Sequence, residues 1–317
     1  MPTDTPAPDD VLADGTAHEV TTAPAEASAA PDAGKGTGRA TTRLDAELVR
    51  RGLARARGQA DELVRAGRVQ VDGRVAKKVS QQVTGASDLV VEAGEQPDYV
   101  GRGALKLAGL LDDLGAHGAP PLVQGRRCLD AGASTGGFTQ VLLERGARSV
   151  VAVDVGHGQL AAPLREDERV VDREGTSVRG LTPDDVAGRV DLLVADLSFI
   201  SVTVVLGDLV GLVRRGGDLL VLVKPQFEVG RERLGAGGVV RDVPRRVDAV
   251  LSVLRGAVDT HGLAVRAVRA SRWPGPSGNV EYFVWLTRPG DTDPPPPVVA
   301  PASLEQAVRH AVKEGPQ

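Results

Sequence analysis

Asp130-Ala131-Gly132-Ala133-Ser134-Thr135-Gly136-Gly137-Phe138 is the stretch whose reading decides the fold. Cys128 and Leu129 lead into it as a short apolar strand, and Phe138, Val141 and Leu142 form one face of a helical pattern behind it. Strand, small-residue loop and helix together present backbone N–H groups and a helix N-terminus to a ligand. The next apolar strand, Val150 to Val153, ends in Asp154, where a second strand of a doubly wound sheet meets a ribose. The pattern is that of a nucleotide-type pocket. It is not a good dinucleotide fingerprint, because G-x-G-x-x-G needs glycine at position 134 and the chain has Ser134.

Outward from this loop, from Gly101 to Leu286, apolar strands alternate with helical patterns. Strands at 127–129, 150–153, 191–195 and 218–223 are near-continuous hydrophobic runs, as expected when both faces of a sheet are covered. Helices are expected around 137–145, 200–213 and 243–258, with two late strands near 263–268 and 282–287. The fold class is therefore α/β with a mainly parallel sheet.

A smaller module precedes it. Leu44, Leu48 and Val49 form a helical stripe that stops at Gly52, and a second helix from Ala56 stops at Gly67. Arg68 to Val71 alternates with period two, Asp72-Gly73 is a tight hairpin turn, Arg74-Val75 starts the return strand, and Leu89 to Val91 closes the unit. Residues 41–85 carry ten Lys or Arg against five Asp or Glu, although the whole chain has a formal net charge of -4. A solvated helical face explains any single Arg of this set. The density of Arg43, Arg51, Arg57, Arg65, Arg68, Lys77 and Lys78 in so small a module points instead to nucleic acid, and Arg102 extends the set.

The ends of the chain differ in kind. Residues 1–40 hold seven acidic side chains and almost no large apolar one, so this segment is expected to be disordered. Residues 289–301, including Pro294 to Pro297, are expected to be stiff and extended, with a short helix following from Ser303. The expected division is thus 1–40, 41–96, 97–288 and 289–317. A single cysteine, Cys128, excludes an intramolecular disulfide. No apolar run approaches the roughly 20 residues that span a bilayer, and no secretory signal opens the chain. A cytoplasmic protein without membrane or metal partners is expected, its oligomeric state left open.

Four polar positions stand out by placement. Asp196 ends the strand Leu192 to Ala195, and Lys224 ends the strand Leu219 to Val223; both sit where open α/β sheets build sites. Lys106 lies on a helix leading into the domain, and Glu281 opens a late strand. Taken singly, Lys106 is an ordinary surface lysine and Glu281 an ordinary strand-start carboxylate. Lys224 differs, because a lysine after five apolar residues is partly desolvated, which favours the neutral amine that works as a base.

The order Arg43-Leu44-Asp45, Gly52, Arg57, then Gly67 to Gly73 with Lys77-Lys78 resembles the S4 RNA-binding domain. Over about 43–288 the chain resembles the TlyA family of rRNA 2′-O-methyltransferases, some historically labelled hemolysins. In that family an S4 domain is fused to an FtsJ-like, Rossmann-like methyltransferase domain. The resemblance is carried by Tyr99 to Leu107, Asp130 to Thr139, Val153 to Leu160, Ala195 to Ser201, Val223 to Glu228 and Gly275 to Tyr282. It implies a catalytic tetrad of Lys106, Asp196, Lys224 and Glu281, and S-adenosyl-L-methionine as cofactor. The implied cofactor contacts are Asp130, Gly132, Ala133, Ser134, Gly136, Gly137, Phe138, Asp154, Val155 and Asp196, with Asp154 on the ribose hydroxyls. It also implies rRNA or ribosomal subunits as partner, with cytidine of 16S or 23S rRNA as the target. Two departures stand out. His157 occupies the place of a Tyr, and Glu174-Gly175-Thr176-Ser177 is a loose version of Glu-Arg-Thr-Asn, expected near the adenine.

Three rivals compete with this reading. A nicotinamide-dependent dehydrogenase lacks its glycine fingerprint here. A membrane-active hemolysin lacks an apolar span, and a catalytically dead RNA-binding protein is disfavoured by the intact four-residue set.

Overall fold

The computed structural model describes residues 41–54, 57–92, 99–118, 120–230, 232, 234–290 and 299–316. Residues 1–40, expected to be disordered, and Pro294 to Pro297 lie outside this set. The chain forms two compact units, one ending at Val91 and the other beginning at Glu92.

The first unit comprises β1 (Thr41–Arg43), α1 (Leu44–Arg50), α2 (Arg57–Arg65), β2 (Val69–Val71), β3 (Arg74–Val75), β4 (Gln82–Thr84) and β5 (Leu89–Val91). β1 and β4 pair antiparallel, and β3, β2 and β5 form a second small antiparallel sheet. Leu44, Leu48, Ala60, Leu63, Val69 and Val83 are buried together as its core. Asp72 and Gly73 both have positive φ, as the tight β2–β3 hairpin requires. The β1–β4 pair was not expected: Gln82-Val83-Thr84 has one apolar residue, too little for a periodicity to register.

The second unit contains α3 (Arg102–Ala116), β6 (Arg127–Ala131), α4 (Gly137–Glu144), β7 (Ser149–Val153), α5 (Ala162–Arg165) and β8 (Val170–Arg173). It continues with β9 (Val190–Ala195), α6 (Val202–Leu212), β10 (Val213–Val223), α7 (Pro225–Glu228), α8 (Val243–Arg255), β11 (Ala264–Ala270), β12 (Tyr282–Thr287) and α9 (Leu304–Glu314). The seven-stranded sheet runs β11-β12-β10-β9-β6-β7-β8. β10, β9, β6, β7 and β8 are mutually parallel, and β12 is antiparallel to both of its neighbours.

Period-two alternation divides the strand residues between two cores. Leu129, Val151, Leu193, Leu219, Val221 and Val284 face one side, where α6, α8 and α9 supply Val205, Val250 and Val308. Cys128, Val150, Leu192, Leu220, Leu222 and Phe283 face the other, with Leu107 and Leu111 of α3 and Leu142 of α4. Every interior strand is thus apolar on both faces, which is why the hydrophobic runs are legible.

Two elements depart from expectation. β8 is an edge strand with half-exposed and exposed residues in alternation, so Val170-Val171-Asp172-Arg173 never forms an apolar run. β10 begins at Val213, five residues before the expected start at Asp218, with an irregularity against β9 between those two positions.

Candidate active site

From β6 the chain steps outward to β7 and β8, then returns to the far side of β6 as β9. The carboxyl ends of β6 and β9 therefore flank the point where the strand order reverses, the crevice in which open α/β sheets bind ligands. The loop after β6 and Asp196 after β9 meet there. Gly132 has φ +85, and a Cβ on it would stand 2.8 Å from the Asp196 carbonyl oxygen. Asp196 N–H donates to Ala131 O at 3.0 Å, closing the seam.

The loop is braced from behind by the N-terminus of α3. A Cβ at Gly137 would lie 2.7 Å from Ala104 N, so the first turns of α3 and α4 touch through backbone. Phe138 packs beneath them against Phe283, with ring centroids 6.1 Å apart. The stretches Tyr99–Leu107 and Asp130–Phe138 are thus two halves of one packing arrangement.

The loop also spends most of its own donors. Gly132 and Ala133 N–H donate to Val153 O at 2.8 and 3.1 Å, Gly136 N–H to Ala133 O at 2.7 Å, and Ser134 N–H to Asp154 Oδ2 at 2.8 Å. Asp154 Oδ1 accepts Gly156 N–H at 2.7 Å, so this carboxylate ties the β6 and β7 loops together. Ser134 itself is left-handed, φ +48, and its hydroxyl donates to Gln159 Oε1 at 3.1 Å. A pyrophosphate needs free loop N–H groups, and at positions 132, 133, 134 and 136 they are taken. A sulfonium nucleoside has no phosphate and fits this loop. Of the ten expected cofactor contacts, Gly132, Asp154 and Asp196 are half-buried and Ser134 and Val155 are exposed.

The other five expected contacts, Asp130, Ala133, Gly136, Gly137 and Phe138, are buried, and two of them have a structural use instead. Asp130 is fully buried, and its Oδ2 accepts Thr139 N–H at 2.8 Å and Thr139 Oγ1–H at 2.7 Å. Burial pushes its carboxyl up to about 7. Asp130 therefore anchors α4 from below, and Phe138 lies in the core beside it. An acidic residue at a strand end looks the same in sequence whether its side chain turns outward or back beneath the helix.

Lys106, Asp196, Lys224 and Glu281 come together as one chain of alternating charge. Lys106 Nζ donates to Glu281 Oε2 at 2.6 Å and lies 3.9 Å from Asp196 Oδ2. Lys224 Nζ is 2.7 Å from Asp196 Oδ1. Glu281 is 1% exposed, Lys106 6% and Lys224 7%. Burial of this depth requires partners for charged groups, and each charge faces an opposite one. The four residues come from α3, the end of β9, the end of β10 and the start of β12, elements up to 175 positions apart in sequence.

Two further residues at this centre had no expected role. Ser198 Oγ accepts a hydrogen bond from Lys224 Nζ at 2.8 Å. Phe199 is 92% exposed, holds φ +64, and packs against Phe227 with centroids 5.4 Å apart. A non-glycine residue in the left-handed region is strained, and here it holds an aromatic ring in water one position after the Ser198 that binds Lys224. The available signal was a Phe one residue past the strand-end Asp196-Leu197-Ser198, in a chain with only 3% aromatic residues.

The two departures from the family pattern meet in space. A Cβ at Gly175 would come within 2.9 Å of His157 Cε1, so the imidazole lies over a position that has no side chain.

In the first unit the basic residues divide. Arg57, Lys77 and Lys78 are exposed. Arg43 pairs with Asp45 at 2.9 Å and Arg65 with Asp61 at 2.6 Å, Arg68 is half-buried, and in the second unit exposed Arg102 donates to Pro274 O at 2.9 Å. Arg51 corrects the expectation of a phosphate donor. Its guanidinium donates to Glu47 at 2.7 Å and to the carbonyls of Ser87, Gly85 and Thr84 at 2.7, 3.0 and 3.2 Å. It holds the β4–β5 turn. Arg50 and Arg51 together hold the Glu47 carboxyl down at about 2.

Residues 99–288 match the FtsJ-like methyltransferase family, and residues 42–90 match the S4 domain. The chain is 53% identical over 274 residues to the 16S/23S rRNA (cytidine-2'-O)-methyltransferase TlyA of Mycobacterium tuberculosis, covering 86% of this chain and 98% of that protein. It is 38% identical to the putative rRNA methyltransferase YqxC of Bacillus subtilis, over 78% of this chain and 86% of that one. A solved structure described as a putative hemolysin from Streptococcus thermophilus matches with a TM-score of 0.64 and 34% identity, over 87% of this chain and 98% of that one. The chain belongs to the FtsJ-like methyltransferase family, in the TlyA branch that carries an S4 domain ahead of the methyltransferase unit.

Proposed function

We infer that this protein transfers a methyl group from S-adenosyl-L-methionine to a ribose 2′-hydroxyl of rRNA, with cytidine as the target nucleoside. The carrying observation is the buried chain Glu281–Lys106–Asp196–Lys224 at the mouth of the loop that fits a phosphate-free nucleoside. The cofactor, when bound, supplies a methyl carbon on a positively charged sulfur. Gly132, Ser134, Asp154, Val155 and Asp196, the expected contacts that are exposed or half-buried, would hold it.

Lys224 is the proton acceptor in this reading. A neutral amine has two N–H groups and one lone pair. Ser198 Oγ takes one N–H, and Asp196 Oδ1 lies within hydrogen-bond distance of the same nitrogen. The lone pair is then left for the 2′-OH proton. Lys106 is held by Glu281 at 2.6 Å and lies 3.9 Å from the Asp196 carboxylate that also faces Lys224, so the four side chains keep one another in place around the acceptor. Phe199 offers the target base a stacking face, and the exposed Arg57, Lys77 and Lys78 offer phosphates their counter-charge.

The hemolysin label among relatives suggests membrane activity as a rival, but among the described residues no helix is long and apolar enough to cross a membrane. Nucleoside mass spectrometry of rRNA from cells with and without the gene tests the function. Loss of a 2′-O-methylcytidine signal is expected. Loss of a base-methyl signal instead would overturn the ribose assignment.

A further inference from the structure

We propose that Trp273 and Gly109 form a mechanical lock that sets the Lys106–Glu281 pair, making Trp273 a positioning residue for methyl transfer. This rests on the reading of the four-residue chain given above. Gly109 lies in the middle of α3, three residues after Lys106 and so on a neighbouring face of the helix. Glycine is a poor helix former, and here its missing side chain is filled from outside. A Cβ at 109 would stand 2.8 Å from Trp273 Cη2 and closer still to Cζ3. The indole edge is seated in a notch on the helix that carries Lys106.

Trp273 is half-buried and belongs to neither of the two cores that cover the sheet. What it fixes is the connection from β11 to β12, residues 271–281. That connection is closed at its base by Ser271 N–H donating to Glu281 O at 2.8 Å. Ser271 Oγ–H donates to Trp273 O at 2.8 Å, which holds the indole to the base of the loop. A second tether from α3, Arg102 to Pro274 O at 2.9 Å, fixes the next residue.

The following residue reaches the site. A Cβ at Gly275 would stand 2.5 Å from Glu281 Oε1 and 3.2 Å from Cδ, so the Gly275 backbone lies flat against that carboxylate. Gly275 N–H in turn donates to Asn279 O at 2.8 Å, keeping the loop folded over it. Glu281 is therefore pressed between Lys106 on one oxygen and Gly275 beside the other. Both contacts are referenced to α3, one through Lys106 and one through Trp273 in the Gly109 notch. Seating the indole sets the height of Gly275, and with it the place of the carboxylate. With Glu281 displaced, the Lys106 ammonium loses its 2.6 Å partner, and Asp196, 3.9 Å away, is the nearest carboxylate left to it. Asp196 then serves Lys224 less well.

The test uses the full chain with Gly109→Ala, which fills the notch, and Trp273→Ala, which removes the knob. Steady-state methyl transfer to ribosomal subunits is measured together with S-adenosylhomocysteine affinity and the melting temperature. The expected result is a kcat loss on the order of 10–100-fold, the scale of an ångström-sized misplacement. KM for both substrates and S-adenosylhomocysteine affinity stay within about twofold. The pH profile of kcat in Trp273→Ala moves to match that of Glu281→Gln, whereas a merely structural role scales the profile without moving it. Trp273→Phe in the Gly109→Ala background, a smaller knob in a smaller notch, recovers part of the rate. If Gly109→Ala fails to fold, Trp273→Ala gives the same reading without added bulk. Lock variants that transfer at the wild-type rate, or lose rate with an unmoved pH profile, overturn the proposal. Lys106→Ala separates the two levels: wild-type transfer by that variant sinks the functional reading itself, whereas its loss beside intact lock variants sinks only the lock.

Discussion

Asp196 Oδ1 lies 2.7 Å from Lys224 Nζ, joining the carboxyl ends of the neighbouring strands β9 and β10. The pair has two possible uses. Lys224 acts as a base if its amine is neutral, or as a fixed positive charge if it stays protonated. Lys224→Arg distinguishes them, because a guanidinium keeps the charge and cannot accept a proton. The base reading expects Lys224→Arg and Lys224→Ala to lose transfer alike, on the order of 10²–10⁴-fold. S-adenosylhomocysteine affinity, measured by calorimetry, stays near wild type in both. Substantial transfer by Lys224→Arg would show that the charge alone is needed.

Phe199 supplies a second prediction. Stacking of a base on an aromatic ring contributes about 1–3 kcal/mol, so Phe199→Ala should lower kcat/KM for the RNA substrate by roughly 10–100-fold. Phe199→Trp should retain most of it. The side chain is almost wholly exposed, so the melting temperature should not fall. It should rise slightly if a more permissive residue, Phe199→Gly, relieves the left-handed strain. Unchanged kinetics in the alanine variant would remove Phe199 from the site.

What the sequence could and could not reveal follows from where each side chain is buried. Strands β6, β7, β9 and most of β10 are legible because both faces of each are covered, so they read as unbroken apolar runs. β8 is not, because an edge strand exposes alternate residues. Asp196 and Lys224 stand out because a charged residue directly after an apolar run must sit at a strand end. Lys106 and Glu281 carry no such mark: their placement on a helix and at a strand start is ordinary for either residue taken singly, and the resemblance supplies their role. The inward turn of Asp130 and the internal bonding of Arg51 depend on side-chain direction, which periodicity does not encode. Trp273 meets Gly109 across 164 positions, and nothing local in either stretch announces the other.

Asp130 predicts a pH dependence of stability. Its carboxyl is raised from 3.8 to about 7, mainly by burial. Between those values the unfolded chain has released the proton and the folded chain still holds it. Stability therefore falls as pH rises from about 4 to about 7 and stays reduced above, by an amount on the order of 4 kcal/mol at most. Asp130→Asn keeps an acceptor for Thr139 and cannot ionise. Urea melts from pH 4 to 8 should show the variant gaining on wild type as pH rises. A constant difference between the two across that range would contradict the buried-acid assignment.

Arg51 and the lysine pair Lys77 and Lys78 should fail in opposite ways. Arg51 donates to three backbone carbonyls of the β4–β5 turn and to buried Glu47, so its removal strips four acceptors of one partner. Glu47 would keep Arg50, which is 2.5 Å away. Arg51→Ala should therefore destabilise the first unit by about 1–3 kcal/mol, visible as early loss of amide protection in residues 82–91. Lys77 and Lys78 are exposed beyond the β2–β3 hairpin, and their replacement by Ala should leave that protection intact. RNA affinity should fall instead, and the slope of log K against log salt should flatten by roughly 0.7–0.9 for each phosphate that is no longer neutralised. A flattened slope in Arg51→Ala with unchanged amide protection would return that residue to the RNA-binding set. An unchanged slope in the double lysine variant would remove Lys77 and Lys78 from it.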